Sequence, residues 1–182
     1  MDNNTLIEQV VPKERNAQYG LKIALIILVA LGIPAGFIAA ALITRIAYLA
    51  VIGMFAILFC VYGAWFFITS LNVEYEYSFL SSTLRIDKVI AKRRRKPIVK
   101  VDVKQFDDFF RYSDEAMTAH RFNKVYRASG KEFSEDNYVA SFRNEAKGKC
   151  AILFTPNEKL IEGMKPYFDN DLRKTLFLNK QL

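Results

Sequence analysis

The residues able to do chemistry are few, and their spacing suits it poorly. His120 is the only histidine in 182 residues. A two-histidine metal site is therefore excluded, and a Ser-His-Asp set would have to recruit His120 from a loop. Asp107 and Asp108 are adjacent, so on a strand they are expected to point to opposite faces, the wrong geometry for a paired acid and base. Asp114, Glu115, Glu135 and Asp136 fall in polar turn-like stretches, where acids are commonplace. Gly130 and Gly148 stand singly, so no glycine-rich loop cradles a phosphate. Cys60 sits in an apolar run and Cys150 in a strand-like segment, which reads as two buried thiols rather than a disulfide scaffold. No catalytic, cofactor-binding or metal-binding residue is expected, and no cofactor.

What the sequence concentrates instead is positive charge. Lys92, Arg93, Arg94, Arg95 and Lys96 follow one another inside "IDKVIAKRRRKPIVKVD". From residue 72 onward there are 22 basic and 16 acidic residues, within a chain of net charge +7. The basic run is expected to form a membrane-facing loop between two strands, contacting anionic phospholipid headgroups. Screening limits such attraction to about 8 Å at physiological salt, so the loop must be held near the bilayer to use it. A plainer account is a solvated hairpin tip whose charge discourages edge pairing. Nucleic acid is a disfavoured partner: no binding signature is present, and the aromatics alternate as core residues do.

The elements that would hold the basic run near a membrane precede it. Residues 23–43 and 46–73 contain no charged side chain, and only Thr44 and Arg45 separate them. At ~1.5 Å per residue the first run spans about 31 Å as a helix, matching a hydrocarbon core of roughly 30 Å. The organisation expected is an N-terminal cytoplasmic segment at 1–20, a transmembrane hairpin at 21–70 with spans about 21–43 and 47–70, and a soluble domain at 71–182. The turn is expected between Ala39 and Ala47, with Arg45 at the headgroups. A cleaved signal peptide, suggested by the small residues of "AAAL", is disfavoured because the apolar run is too long and a second follows at once. Gly32 and Gly36, with Ala56, Cys60 and Ala64, permit close helix approach; packing within the hairpin is favoured over a homo-oligomer. Tyr62, Trp65, Phe66 and Phe67 gather where an interfacial aromatic belt belongs. Lys13, Arg15 and Lys22 flank the start of the first span, and Arg85 and Lys88 follow the second. By the positive-inside tendency both termini are expected to be cytoplasmic, at the plasma membrane.

The soluble part reads mainly as strands. "VEYEYSF" alternates Val73, Tyr75, Tyr77 and Phe79 against polar neighbours, and Ser81 and Ser82 supply a turn. "TLRIDKVIA" and "PIVKVDV" continue on either side of the cations, and "QFDDFFRY", "RFNKVYRAS", "NYVASFRN" and "KCAILFTP" add four more strands. "SDEAMTAH" reads as one of the turns between them. "TPNEKLIEGMKPYF" then opens a helix, with Thr155 as the expected N-cap, Pro156 at the first position and Glu158 completing a capping box. Pro166 is expected to break it. A second short helix from about 170 to 177 would bury Leu172, Leu176 and Phe177.

Seven strands followed by one capped amphipathic helix resembles a pleckstrin-homology-like (PH-like) domain over residues 72 to about 168. The whole chain, with its hairpin, "EYEYSF", "LRIDKVIAKRRRK" and closing "MKPYF", is similar to a family of two-span bacterial membrane proteins of Clostridia type. The resemblance implies an α+β membrane protein: a two-helix transmembrane hairpin, then a mainly antiparallel β domain capped by a C-terminal helix. It implies no activity. The expected function is a membrane-anchored, non-enzymatic binding or scaffolding module with the lipid bilayer and a protein as partners. The alternative is a subunit or regulator of a channel or transport complex, with a membrane-bound enzyme a weaker third reading. Intramembrane polarity separates the first two: neither apolar run, 23–43 or 46–73, carries a charged residue, and pathways through membranes usually do.

Overall fold

In the computed structural model, which describes residues 6–131, 133–169 and 172–173, the chain forms two units. One is Arg15–Asn72; the other is assembled from both of its flanks, up to Glu14 and from Val73 onward.

The Arg15–Asn72 unit is a pair of helices, α1 (Ala17–Thr44) and α2 (Ala47–Ser70). Both are long and apolar enough to cross a membrane; at 1.5 Å per residue they reach ~42 and ~36 Å. Large apolar side chains stay uncovered along both, Leu42 at 76% and Phe59 at 77%, so these are not core helices of a soluble protein. α1 starts ahead of the expected span because Asn16 caps it, accepting the Tyr19 N–H at 3.3 Å. The connection falls at Arg45, whose φ of 55° is left-handed, as the break in the apolar run requires. The helix seam differs from expectation. A Cβ at Gly53 would lie 3.2 Å from Phe37 Cβ, whereas Gly32 and Gly36 have nothing within 4 Å. The face of α1 turned to α2 therefore carries Phe37 and Ile38, not the Gly32–Gly36 stripe. Across the open end, the Tyr19 hydroxyl donates to Asn72 Oδ1 at 3.1 Å.

The second unit is two four-stranded sheets sharing one core. The first runs β1-β2-β3-β4, formed by β1 (Ile7–Pro12), β2 (Val73–Leu80), β3 (Thr83–Ile90) and β4 (Arg94–Asp102), all antiparallel. The second has β5 (Phe106–Arg111), β6 (Lys124–Arg127), β7 (Tyr138–Asn144) and β8 (Gly148–Phe154), in the order β5-β7-β8-β6. The short β6 pairs parallel with β8; the other pairs are antiparallel. The seven expected strands are present, and their inward residues are those the alternation marks: Tyr75, Tyr77, Phe79, Leu84 and Ile86 from the first sheet meet Phe109, Ile152 and Phe154 from the second.

The strand absent from the sequence reading is β1. Ile7 and Val11 face inward, but so does Gln9 between them, which hides the period of two. Gln9 is accommodated because its Nε2 donates to Thr155 O at 2.9 Å and its Oε1 accepts from Asn157 N at 2.8 Å. Part of the segment read as a flank is thus the edge strand of the sheet. Two α-helices among the described residues cover the sheets. α3 (Asp114–Ala119) occupies the expected turn "SDEAMTAH": Ser113 Oγ caps Ala116 N at 3.1 Å, and Asp114 and Glu115 sit in the first turn, where carboxylates favour the helix dipole. α4 (Glu158–Met164) buries Leu160 and Met164, then tightens into a 3-10 turn at Pro166, as expected. Its cap is Asn157, bonded to Leu160 N at 2.8 Å, rather than Thr155. Leu172 is buried; Leu176 and Phe177 lie outside the described residues.

Thr155 is unavailable as a cap because it belongs to a partly buried polar network that links the two sheets. The buried Tyr77 hydroxyl donates to Ala128 O and accepts from Thr155 N at 3.2 Å. Burial pushes this hydroxyl well above the ordinary phenol range, so it stays a neutral donor. Thr155 Oγ1 donates to Oδ1 of the fully buried Asn137 at 2.7 Å, and Asn137 Nδ2 donates to Lys131 O at 2.8 Å.

α4 packs closely against β1: a Cβ on Gly163 would fall 2.3 Å from Ile7 Cδ1. Gly163→Val should therefore destabilise the unit by about 1–3 kcal/mol through overpacking. The check is the thermal midpoint of the detergent-solubilised chain, and an unchanged midpoint would contradict this contact.

Candidate functional site

The basic run lies on the β3–β4 hairpin, but only partly in its loop. Lys92 and Arg93 occupy the turn; Arg94, Arg95 and Lys96 are already in β4. The loop is shorter than expected because Ala91 and Lys92 both adopt φ 55° and Arg93 N closes on Ile90 O at 3.1 Å. Those two positive φ values are what a tight hairpin turn needs, and they are met here without glycine.

Pairing then decides where each charge points. Lys88 is directly opposite Lys96, and Ile90 opposite Arg94, so Lys88, Arg94 and Lys96 share one face. Arg95, on the other face, meets Glu76 at 3.2 Å. Among the described residues Lys88, Lys92, Arg94 and Lys96 have no ion-pair partner. A direct cross-strand pair of like charges is unfavourable in isolation, so Lys88 and Lys96 repel one another unless a counter-charge lies near. All five cations of the run are exposed.

The position of the hairpin in the sheet matters as much as its charge. Pro12 pairs with Glu74, Val73 pairs with Ile90, and Lys13 N donates to Val73 O at 2.9 Å. The end of β1, the start of β2 and the β3–β4 turn therefore lie at one end of the first sheet. The same end receives the 128–137 loop: Glu14 N donates to Gly130 O at 2.7 Å, and a Cβ on Gly130 would be 2.8 Å from Pro12 O. Sequence alternation finds the strands but not this convergence, which depends on β1. The fragment "IEQVV" is the signal that was available.

The remaining chemical candidates do not assemble. His120 stacks between Phe110 and Phe122, at ring-centroid distances of 5.3 and 5.8 Å, rather than beside an acid or hydroxyl. Asp107 and Asp108 depart from the expected opposite faces because the register of β5 shifts between Phe106 and Asp108. Asp107 meets Arg143 at 3.8 Å and Asp108 meets Lys149 at 3.7 Å, cations that are cross-strand partners. Each carboxylate thus has its own counter-ion. Asp114 accepts from the Tyr112 hydroxyl, and Asp136 from the Ser134 hydroxyl at 3.4 Å. Gly148, at φ 72°, turns β7 into β8. No cluster of three metal-ligating side chains occurs among the described residues. The surface that stands out among the described residues is the basic one on the β3–β4 hairpin.

No curated protein and no solved structure matches the chain. A family model described as a bacterial PH-like domain, DUF6106, matches residues 3–174.

Proposed function

The chain belongs to this bacterial PH-like domain family, and from that premise we propose a membrane-anchored, non-enzymatic binding module whose basic hairpin end rests on anionic lipid headgroups. In this reading the hairpin crosses the bacterial plasma membrane, both termini are cytoplasmic, and strand edges or loop tips remain free to hold a protein partner.

One observation carries the reading: the basic hairpin is at the end of the sheet where the chain leaves for α1 and returns from α2. Pairing of β1 with β2 needs the flanks of the helical hairpin on one side of the membrane, which supports an even number of spans. Covalent reach supports the rest. Five residue steps link Pro12 to Ala17 and three link Ser70 to Val73, at most about 18 and 11 Å of chain. A basic residue near anionic lipid contributes about 1 kcal/mol.

The test uses the full chain in lipid nanodiscs, because a fragment beginning after the helices lacks β1. Acetylation rates of Lys92 and Lys96 should fall by about fivefold or more in discs containing anionic phosphatidylglycerol relative to neutral phosphatidylcholine, as expected for about 1 kcal/mol per residue. The protection should be lost at high salt. Lys147, in the turn at the other end of the β7–β8 ladder, should react equally in both. Equal rates for Lys92 and Lys96 in the two discs would sink the proposal.

A further inference from the structure

We propose that Phe133 is an interfacial anchor, inserting its ring into the headgroup–acyl boundary of the bilayer beside the basic hairpin. The inference rests on the docking reading above and adds a second, apolar point of contact.

Phe133 is 65% exposed, the most exposed large apolar side chain among the described residues of the β unit. The others lie elsewhere. Leu80 is at the β2–β3 turn and Leu6 precedes β1, both at the opposite end of the first sheet, while Val10 is on its outer face. Phe133 alone belongs to the loop that meets the end of β1. A single exposed apolar residue is ordinary on a protein surface, so exposure by itself decides nothing.

Three further observations do. The loop is rooted rather than loose: Gly130 O accepts from Glu14 N at 2.7 Å, Lys131 O accepts from Asn137 Nδ2 at 2.8 Å, and Asn137 N donates to Ser134 O at 3.0 Å. Phe133 stands at the tip of this braced loop with φ 62°, a left-handed conformation unusual for an aromatic residue. Its ring touches Tyr112 edge-on at 6.0 Å between centroids, yet remains mostly uncovered. Finally, Glu14 and Lys131, which sit 3.9 Å apart, place the loop's base beside the residues that lead into α1. An aromatic ring suits the zone between headgroups and acyl chains, and cations on the neighbouring hairpin suit the headgroups above it. The two contacts are complementary: charge selects the anionic leaflet, and the ring adds a salt-insensitive hold.

The probe is the full chain with Phe133→Trp in a Trp65→Phe background, in nanodiscs of phosphatidylcholine and phosphatidylglycerol with brominated acyl chains. The expected result is blue-shifted emission that brominated lipid quenches and that high salt leaves quenched. Phe133→Ser should partly release Lys92 and Lys96 from protection, and Phe133→Leu should restore it. Unquenched, red emission from the introduced indole while the lysines remain protected overturns this proposal alone, including the case in which Phe133 holds a protein instead. Loss of both signals overturns the docking reading and this one together.

Discussion

Asn137→Ala should speed alkylation of the buried Cys150 thiol by about 30- to 1,000-fold, the equivalent of ~2–4 kcal/mol of lost stability. Asn137 and Cys150 are both fully buried, so the reagent reaches the thiol only when the unit opens. The substitution strips Lys131 O of its donor and Thr155 Oγ1 of its acceptor at once; both bonds are only partly shielded from water, so each loss falls toward the lower end of the ~1–3 kcal/mol of an unsatisfied buried group. A small cavity adds to this. Because Thr155 N also bonds the Tyr77 hydroxyl, the damage reaches the contact between the two sheets. Tyr77→Phe should act in the same direction, leaving Ala128 O without its donor. The measurement is a thiol-reagent pulse on the full chain in detergent, in a Cys60→Ala background, with the exposed Glu135→Ala as control. A change of less than about threefold for Asn137→Ala, under 1 kcal/mol, would show that the network does not hold the unit together.

The second large effect tests the strand that sequence alternation misses. Ile7→Asp should cost ~3–5 kcal/mol, since it places an unpaired carboxyl in the core and removes apolar contact. Val10→Asp, three residues along the same strand, should cost almost nothing. Ile7 is 9% exposed and contacts the core; Val10 is 55% exposed on the outer face. Identical chemistry therefore gives opposite outcomes only if β1 is paired in the register Ile7 to Phe79. Amide hydrogen exchange reads the result: in Ile7→Asp the β2 amides that bond β1 should lose protection, while those bonded to β3 keep it. Similar exchange in the two variants would mean that the N-terminal segment is not a strand of this unit.

Much of this protein is legible in its residues because the responsible forces are local. The helices α1 and α2 announce themselves by apolar runs with no charge to interrupt them, and Arg45 marks their junction. β2 and β3 alternate cleanly because one face of each is buried and the other is not. The failures share a different cause. β1 is hidden by Gln9, whose inward position makes sense only once Thr155 and Asn157, far along the chain, supply its partners. Thr155 and Asn157 both have the chemistry of a helix cap, and the choice falls to Asn157 because Asn137 engages Thr155. Opposite faces for Asp107 and Asp108 presume a regular pleat, which the register shift in β5 breaks.

The candidate site divides along the same line. Five consecutive cations are a property of the sequence, as are the two helices that precede them. Which of those cations share a face, which one meets Glu76, and that their hairpin lies at the end where β1 departs and β2 begins are properties of strand register. Composition and short-range periodicity determine what a segment prefers as its surroundings, water, lipid or core. Hydrogen-bonded pairing between residues more than sixty positions apart determines which segments become neighbours. Only the second of these brings Phe133, Glu14 and the basic hairpin to one end of the molecule's β unit.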